Sequence, residues 1–142
     1  MMSAEESQPI LPVSHAVQGM LATDRSLNLL GIRVVSAGGD QAVAQMEVTA
    51  DMGNGHLIAH GGLIFTLADT AFICACAVVG QMPVTSSASI VYLSPGHVGD
   101  VLTATAEVRH RVGRVAHCDV TVTSDRGVVA EFRGSAISVS AR

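Results

Sequence analysis

Two features of the stretch Asn54–Gly80 could do chemistry: the tripeptide His60-Gly61-Gly62 and a lone carboxylate, Asp69, seven residues beyond Gly62. If a helix begins at the glycines, its first backbone N–H groups have no intrahelical partner and no side chain in front of them. Such a terminus suits an anion or a developing oxyanion. A carboxylate on an apolar segment is costly to bury unless it is hydrogen-bonded or faces a wet cleft, and so placed it is a candidate base or nucleophile with a shifted pKa. The structural alternative is an Asp69 satisfied by a backbone N–H or by a hydroxyl such as that of Thr70.

The element that must position both is the run Leu63–Val79, which has no Gly or Pro and, beside Asp69, only Thr66 and Thr70 as polar side chains. It reads as one buried helix, apolar nearly all round. A carboxylate near its centre and the lack of basic flanks argue against a membrane span. Gly62 and Asp69 fall on nearly the same stripe but roughly 10 Å apart along the axis, so one carbonyl cannot touch both. If they serve one reaction, the Asp must come from a second, antiparallel copy, and the site is shared across a two-fold dimer.

The loop from Asp51 to Ala59 delivers Asn54, His56 and His60 to the helix start, and loops held by rigid elements are where function concentrates. Asn54-Gly55 is also an ordinary turn dipeptide. His56 and His60 stand four apart, but Gly55 before them, Gly61-Gly62 after them and the want of a third ligand speak against a metal site.

Around the helix the chain reads as strands. Residues 1–13 form a loose tail interrupted by Pro9 and Pro12, and the domain spans 14–142. A short amphipathic helix over Ser14–Thr23 precedes strands over Ile32–Ala37 and Gln41–Thr49, separated by Gly38-Gly39-Asp40. After Gly80-Gln81-Met82-Pro83 come four long β-rich runs, Val84–Leu93, Val101–His110, Val115–Ser124 and Val128–Val139. Six strands with one long helix predict an α+β domain in which a curved antiparallel sheet wraps the helix.

Composition narrows the function class. The 142 residues are 49% hydrophobic and only 14% charged, so the surface is poor in charge and part of it is expected to be buried in an oligomer. The net charge of −4 gives no basic excess for nucleic acid. Cys74, Cys76 and Cys118 show no zinc or redox spacing and read as small buried thiols in a reducing compartment. No secretory signal is visible, and a cytoplasmic location is expected. Arg109, Arg111 and Arg114 cluster on one hairpin, where they could hold phosphates or form a solvated turn.

The segment N-G-H-x-x-x-H-G-G-x-x-F-T-L-A-D-T-A-F, followed by L-S-P-G-x-x-G-D-x-L-T-A-T-A-E-V, resembles the hotdog-fold acyl-CoA thioesterases of the phenylacetic acid degradation (PaaI) type over about residues 20 to 138. The resemblance implies a hotdog domain and hydrolysis of an acyl-CoA without cofactor or metal. The substrate would be phenylacetyl- or hydroxyphenylacetyl-CoA, or a medium-chain acyl-CoA. The Gly61 or Gly62 N–H would polarise the carbonyl, and Asp69 of the partner would act as general base or as nucleophile. Asn54, His60 and Thr85 would orient water, carboxylate or loop, and Arg109, Arg111 and Arg114 would be available to the CoA phosphates. Homodimers would pair into a homotetramer, with no nucleic acid or membrane partner. Leu63, Thr66, Leu67, Thr70 and Ile73 are expected to line the acyl pocket.

Two other readings differ in the sites they need. A hotdog hydratase or dehydratase would place a His about five residues from the Asp, whereas the next His after Asp69 is His97. A non-catalytic acyl-CoA sensor or scaffold would keep binding but have no use for Asp69.

Overall fold

The computed structural model describes residues 13–140. Its axis is a sixteen-residue helix, Gly61–Cys76, the third and longest of three. The first two, α1 (His15–Leu21) and α2 (Ser26–Leu30), precede the sheet, and the axial helix is α3. Strands β1 (Arg33–Gly38), β2 (Gln41–Glu47), β3 (Gln81–Tyr92), β4 (Val101–Val112), β5 (Val115–Ser124) and β6 (Gly127–Ser140) form one sheet in the order β1-β2-β4-β5-β6-β3. Every neighbouring pair is antiparallel. The six strands and the central helix are those expected from the sequence.

Strand alternation builds the core. On β2, Ala42, Ala44 and Met46 point inward, and on β4 Leu102, Ala104 and Ala106 do the same, all buried. Alanine at so many inward positions lets α3 approach the sheet closely. The helix supplies Ile64, Leu67, Ala68, Ala71, Phe72, Ala75 and Cys76 to the same core. Phe132 of β6 meets Phe65 edge-on at 5.2 Å between ring centroids and Phe72 at 5.4 Å, geometries that favour aromatic pairs. The helix face left outside this core carries Gly62, Thr66, Asp69, Thr70 and Ile73.

Most strand ends shift by one to two residues from the sequence reading, and three differences matter more. Helix α3 starts at Gly61 and ends at Cys76 instead of running from Leu63 to Val79. Glycine is tolerated where the first N–H groups are unpaired anyway, and Ala77 leaves the helix at φ −63°, ψ 137° ahead of two β-branched valines. Strand β3 begins at Gln81 and includes the buried Pro83, because it lies at the sheet edge, where a missing N–H costs no ladder bond. Helix α2 is an addition, closed by Gly31 at φ 67°. Most of the tail expected over residues 1–13 lies outside the described residues; Val13 itself bridges Ala37. Among the described residues no helix is long and apolar enough to cross a membrane.

Candidate active site

Asp69 sits in the third turn of α3, half-buried, with its Oδ1 accepting a hydrogen bond from Thr85 Oγ1 at 3.2 Å. Thr85 reaches it because β3 carries a bulge between Thr85 and Ser87 against β6. The extra residue, Ser86, turns its hydroxyl to the Ser135 carbonyl at 3.0 Å. Bulges commonly re-aim side chains beside sites. Thr70, the alternative partner, instead donates to the Thr66 carbonyl at 2.8 Å. Burial raises the Asp69 pKa above its ordinary 3.8, and the Thr85 hydrogen bond offsets part of that rise.

The carboxylate opens on a cleft of about 180 Å3 whose far wall is Met20, Leu21, Asp24 and Ser26 from the α1–α2 segment. Thr66, Thr70 and Ile73 line it as expected, together with Cys74. Leu67 does not, because it faces the sheet and is fully buried in the subunit core. The Asp24–Ser26 wall had no signal in the sequence, because α2, the helix it leads into, was itself not expected.

A second cleft, about 480 Å3, lies at the other end of the stripe, lined by Asn54, Ile58, His60, Gly61, Tyr92 and Ser94 among others. The two clefts share no residue. Gly61 at the donor end and the carboxylate of one chain therefore face separate spaces, as the helical spacing requires.

Backbone bonds fix the donor end. His60 caps α3 with its carbonyl, which accepts from Leu63 N at 3.0 Å and Ile64 N at 3.5 Å. The N–H groups of Gly61 and Gly62 donate to no protein atom among the described residues. Asn54 Oδ1 accepts from the backbone N–H of His56 at 2.8 Å and of Ile58 at 3.4 Å, so its carbonyl oxygen braces the turn while the residue lines the cleft. The His60 imidazole makes no hydrogen bond among the described residues. The loop is stitched to the next one by Ala59 N to Gly96 O at 2.8 Å and Val98 N to Leu57 O at 3.0 Å. Tyr92, which the sequence reading did not single out, donates its hydroxyl to the Gly61 carbonyl at 2.7 Å.

The three hairpin arginines part company. Arg109 pairs with Glu107 at 2.6 Å. Arg111 bonds Asp40 Oδ1 through Nε at 3.1 Å and Nη2 at 2.9 Å, and reaches the Cys76 carbonyl at 3.3 Å, a cation at the C-terminus of α3. Arg114 is exposed and its guanidinium has no partner among the described residues. The three cysteines are free and buried, and burial pushes the Cys74 thiol up to about 12.

Residues 56–131, a span holding both glycines, Asp69 and Thr85, match the family model described as the thioesterase superfamily. The chain belongs to the thioesterase superfamily. It is 44% identical over 116 residues to the acyl-coenzyme A thioesterase PaaI of Escherichia coli strain K12, covering 81% of this chain and 83% of that protein. The solved structure of E. coli PaaI, from the phenylacetic acid degradation operon, superposes with a TM-score of 0.84 at 40% identity, covering 90% of this chain and 96% of that one. A Streptococcus mutans protein solved bound to acetyl-CoA superposes at 0.72 with 30% identity, covering 78% and 90%. The hotdog architecture expected from the sequence is thus that of this superfamily member.

Proposed function

We propose that this protein is an acyl-CoA thioesterase, acting on a small aryl-acyl-CoA of the phenylacetyl or hydroxyphenylacetyl type or on a medium-chain acyl-CoA. One observation carries the assignment: a half-buried carboxylate with a raised pKa, oriented by Thr85, on the same helix stripe as Gly62, one of two N–H donors that are unpaired among the described residues. The sensor or scaffold reading has no use for this pairing.

In the proposed reaction the thioester carbonyl docks on the N–H groups of Gly61 and Gly62. The ionised Asp69 of the partner subunit takes a proton from water as the water oxygen attacks the carbonyl carbon. The oxyanion collapses, the C–S bond breaks, and CoA leaves as thiolate with the acid as product. Each helix N-terminal donor is worth about 3 kcal/mol in such chemistry. Attack by Asp69 itself, through a mixed anhydride, uses the same geometry. His60 and the amide of Asn54 line the donor cleft and orient the water or the carbonyl. Of the three arginines, Arg114 has no partner among the described residues and would meet CoA phosphates most readily; Arg109 and Arg111 would have to leave carboxylate partners.

A homodimer formed through β3 supports the shared site. This edge strand and the Leu93 that follows it hold no charged residue and leave Met82, Val84, Val91, Tyr92 and Leu93 exposed. A monomer would leave that edge open to aggregation. A two-fold axis crossing β3 between Ala88 and Ser89 would set Thr85, and with it Asp69, opposite the partner's Tyr92 and the helix start it touches. Such dimers would assemble further into a cytoplasmic homotetramer.

The test is thiol release from phenylacetyl-, hydroxyphenylacetyl-, benzoyl-, hexanoyl- and palmitoyl-CoA by the wild type and Asp69→Asn. Turnover of one class, with at least a hundredfold loss of kcat in the Asn variant, is the expected result. Binding of acyl-CoA by both proteins with release by neither would favour the sensor or scaffold.

A further inference from the structure

We infer that Tyr92 is a positioning residue for the oxyanion donors, acting through the peptide that joins Gly61 to Gly62. Its hydroxyl donates to the Gly61 carbonyl at 2.7 Å, although the two residues lie 31 positions apart in sequence. Its ring stands against the same residue: a Cβ built on Gly61 would lie 2.9 Å from Tyr92 Cζ and 3.0 Å from its oxygen. Gly61 is therefore held by a hydrogen bond at its carbonyl and by an aromatic wall at its Cα.

The Gly61 carbonyl and the Gly62 N–H belong to one planar peptide, so fixing the first fixes the direction of the second. A hydrogen bond accepted by the carbonyl also polarises that peptide and strengthens its N–H as a donor, because hydrogen-bond chains reinforce one another. The Gly61 N–H shares the Gly61 Cα and is steadied by the same contacts. Preorganised donors stabilise a developing oxyanion more than a ground-state carbonyl. Loss of the Tyr92 hydroxyl should thus lower kcat and leave KM nearly unchanged. The inference takes the acyl-CoA thioesterase reading as given, and Tyr92 needs no contact with the reacting atoms.

Tyr92→Phe tests it, since the ring that packs on Gly61 remains and only the hydroxyl is lost. With an acyl-CoA that the wild type turns over, kcat is expected to fall about tenfold with KM changed by no more than about twofold. In protein labelled with 15N-glycine, the Gly62 resonance, assigned by its loss in Gly62→Ala, is expected to move upfield as the Gly61 carbonyl loses the Tyr92 donor and keeps only its helical one. An unchanged kcat, a loss expressed in KM, or an unmoved Gly62 resonance overturns the inference. A wild type that releases no thiol overturns the thioesterase reading instead, and the Gly62 resonance of the resting protein tells the two failures apart.

Discussion

Thr85 and Asp69 are joined by a 3.2 Å hydrogen bond from a bulged edge strand to the middle of the central helix. At the other end of the same strand, Tyr92 is bonded to Gly61 at the start of that helix. Strand β3 therefore holds both halves of the proposed chemistry, and as an edge it is also the strand that a second copy would pair with.

The Thr85 bond predicts the pH profile. Burial raises the Asp69 pKa and Thr85 lowers it, so Thr85→Val should push the carboxylate further up. The acid limb of kcat/KM, which reports the free base, should move to higher pH in Thr85→Val and stay in place in Thr85→Ser. A Val variant whose acid limb moves down, or stays put, contradicts the assigned role.

Asp69 should also cost stability at neutral pH. Its folded pKa lies above the ordinary 3.8, so between the two values the native state binds more protons than the unfolded one. By linkage, stability then falls as pH rises through that window, and the penalty for burying the ionised carboxylate is complete above it. Asp69→Asn should therefore match or exceed the wild-type Tm at pH 7, with any advantage shrinking as the pH falls toward that ordinary value. Thermal unfolding at several pH values checks this, and an Asn variant that is less stable at neutral pH would show that the carboxylate is a structural asset.

The two glycines should differ. A side chain at Gly61 collides with the Tyr92 ring at 2.9 Å, whereas a Cβ at Gly62 meets nothing within 4 Å. Both alanine variants keep the backbone N–H. Gly61→Ala should therefore lose roughly a hundredfold in kcat through displacement of the helix start, and Gly62→Ala much less. Equal losses would mean that bareness in front of the donors matters more than the Tyr92 contact.

Much of this was legible in the sequence because the signals were local. An apolar run after two glycines marks a buried helix whatever surrounds it, and helical spacing alone separates Gly62 from Asp69. Helix ends and Pro83 were misread because tertiary placement decides them: Pro83 fits a strand only since β3 is an edge. The partners of Thr85, Tyr92 and Arg111 were out of reach for the same reason. Each bonds a group 16 or more residues away, fixed by a bulge, a strand end or a helix terminus. Arg111 illustrates the limit, since its neighbours in sequence suggest a phosphate site while its contacts tie it to Asp40 and the end of α3.

The most direct test of the shared site is complementation between two inactive variants. Asp69→Asn keeps the donors and lacks the base; Gly61→Ala keeps the base and misplaces the donors. If each site combines Asp69 of one subunit with the helix start of the other, a mixed dimer has one site with both defects and one with neither. Co-refolding equal amounts should then restore about a quarter of the wild-type thiol release. If each subunit completed its own site, every site in the mixture would stay broken, and an absence of recovery in dimers shown to have exchanged would contradict the account.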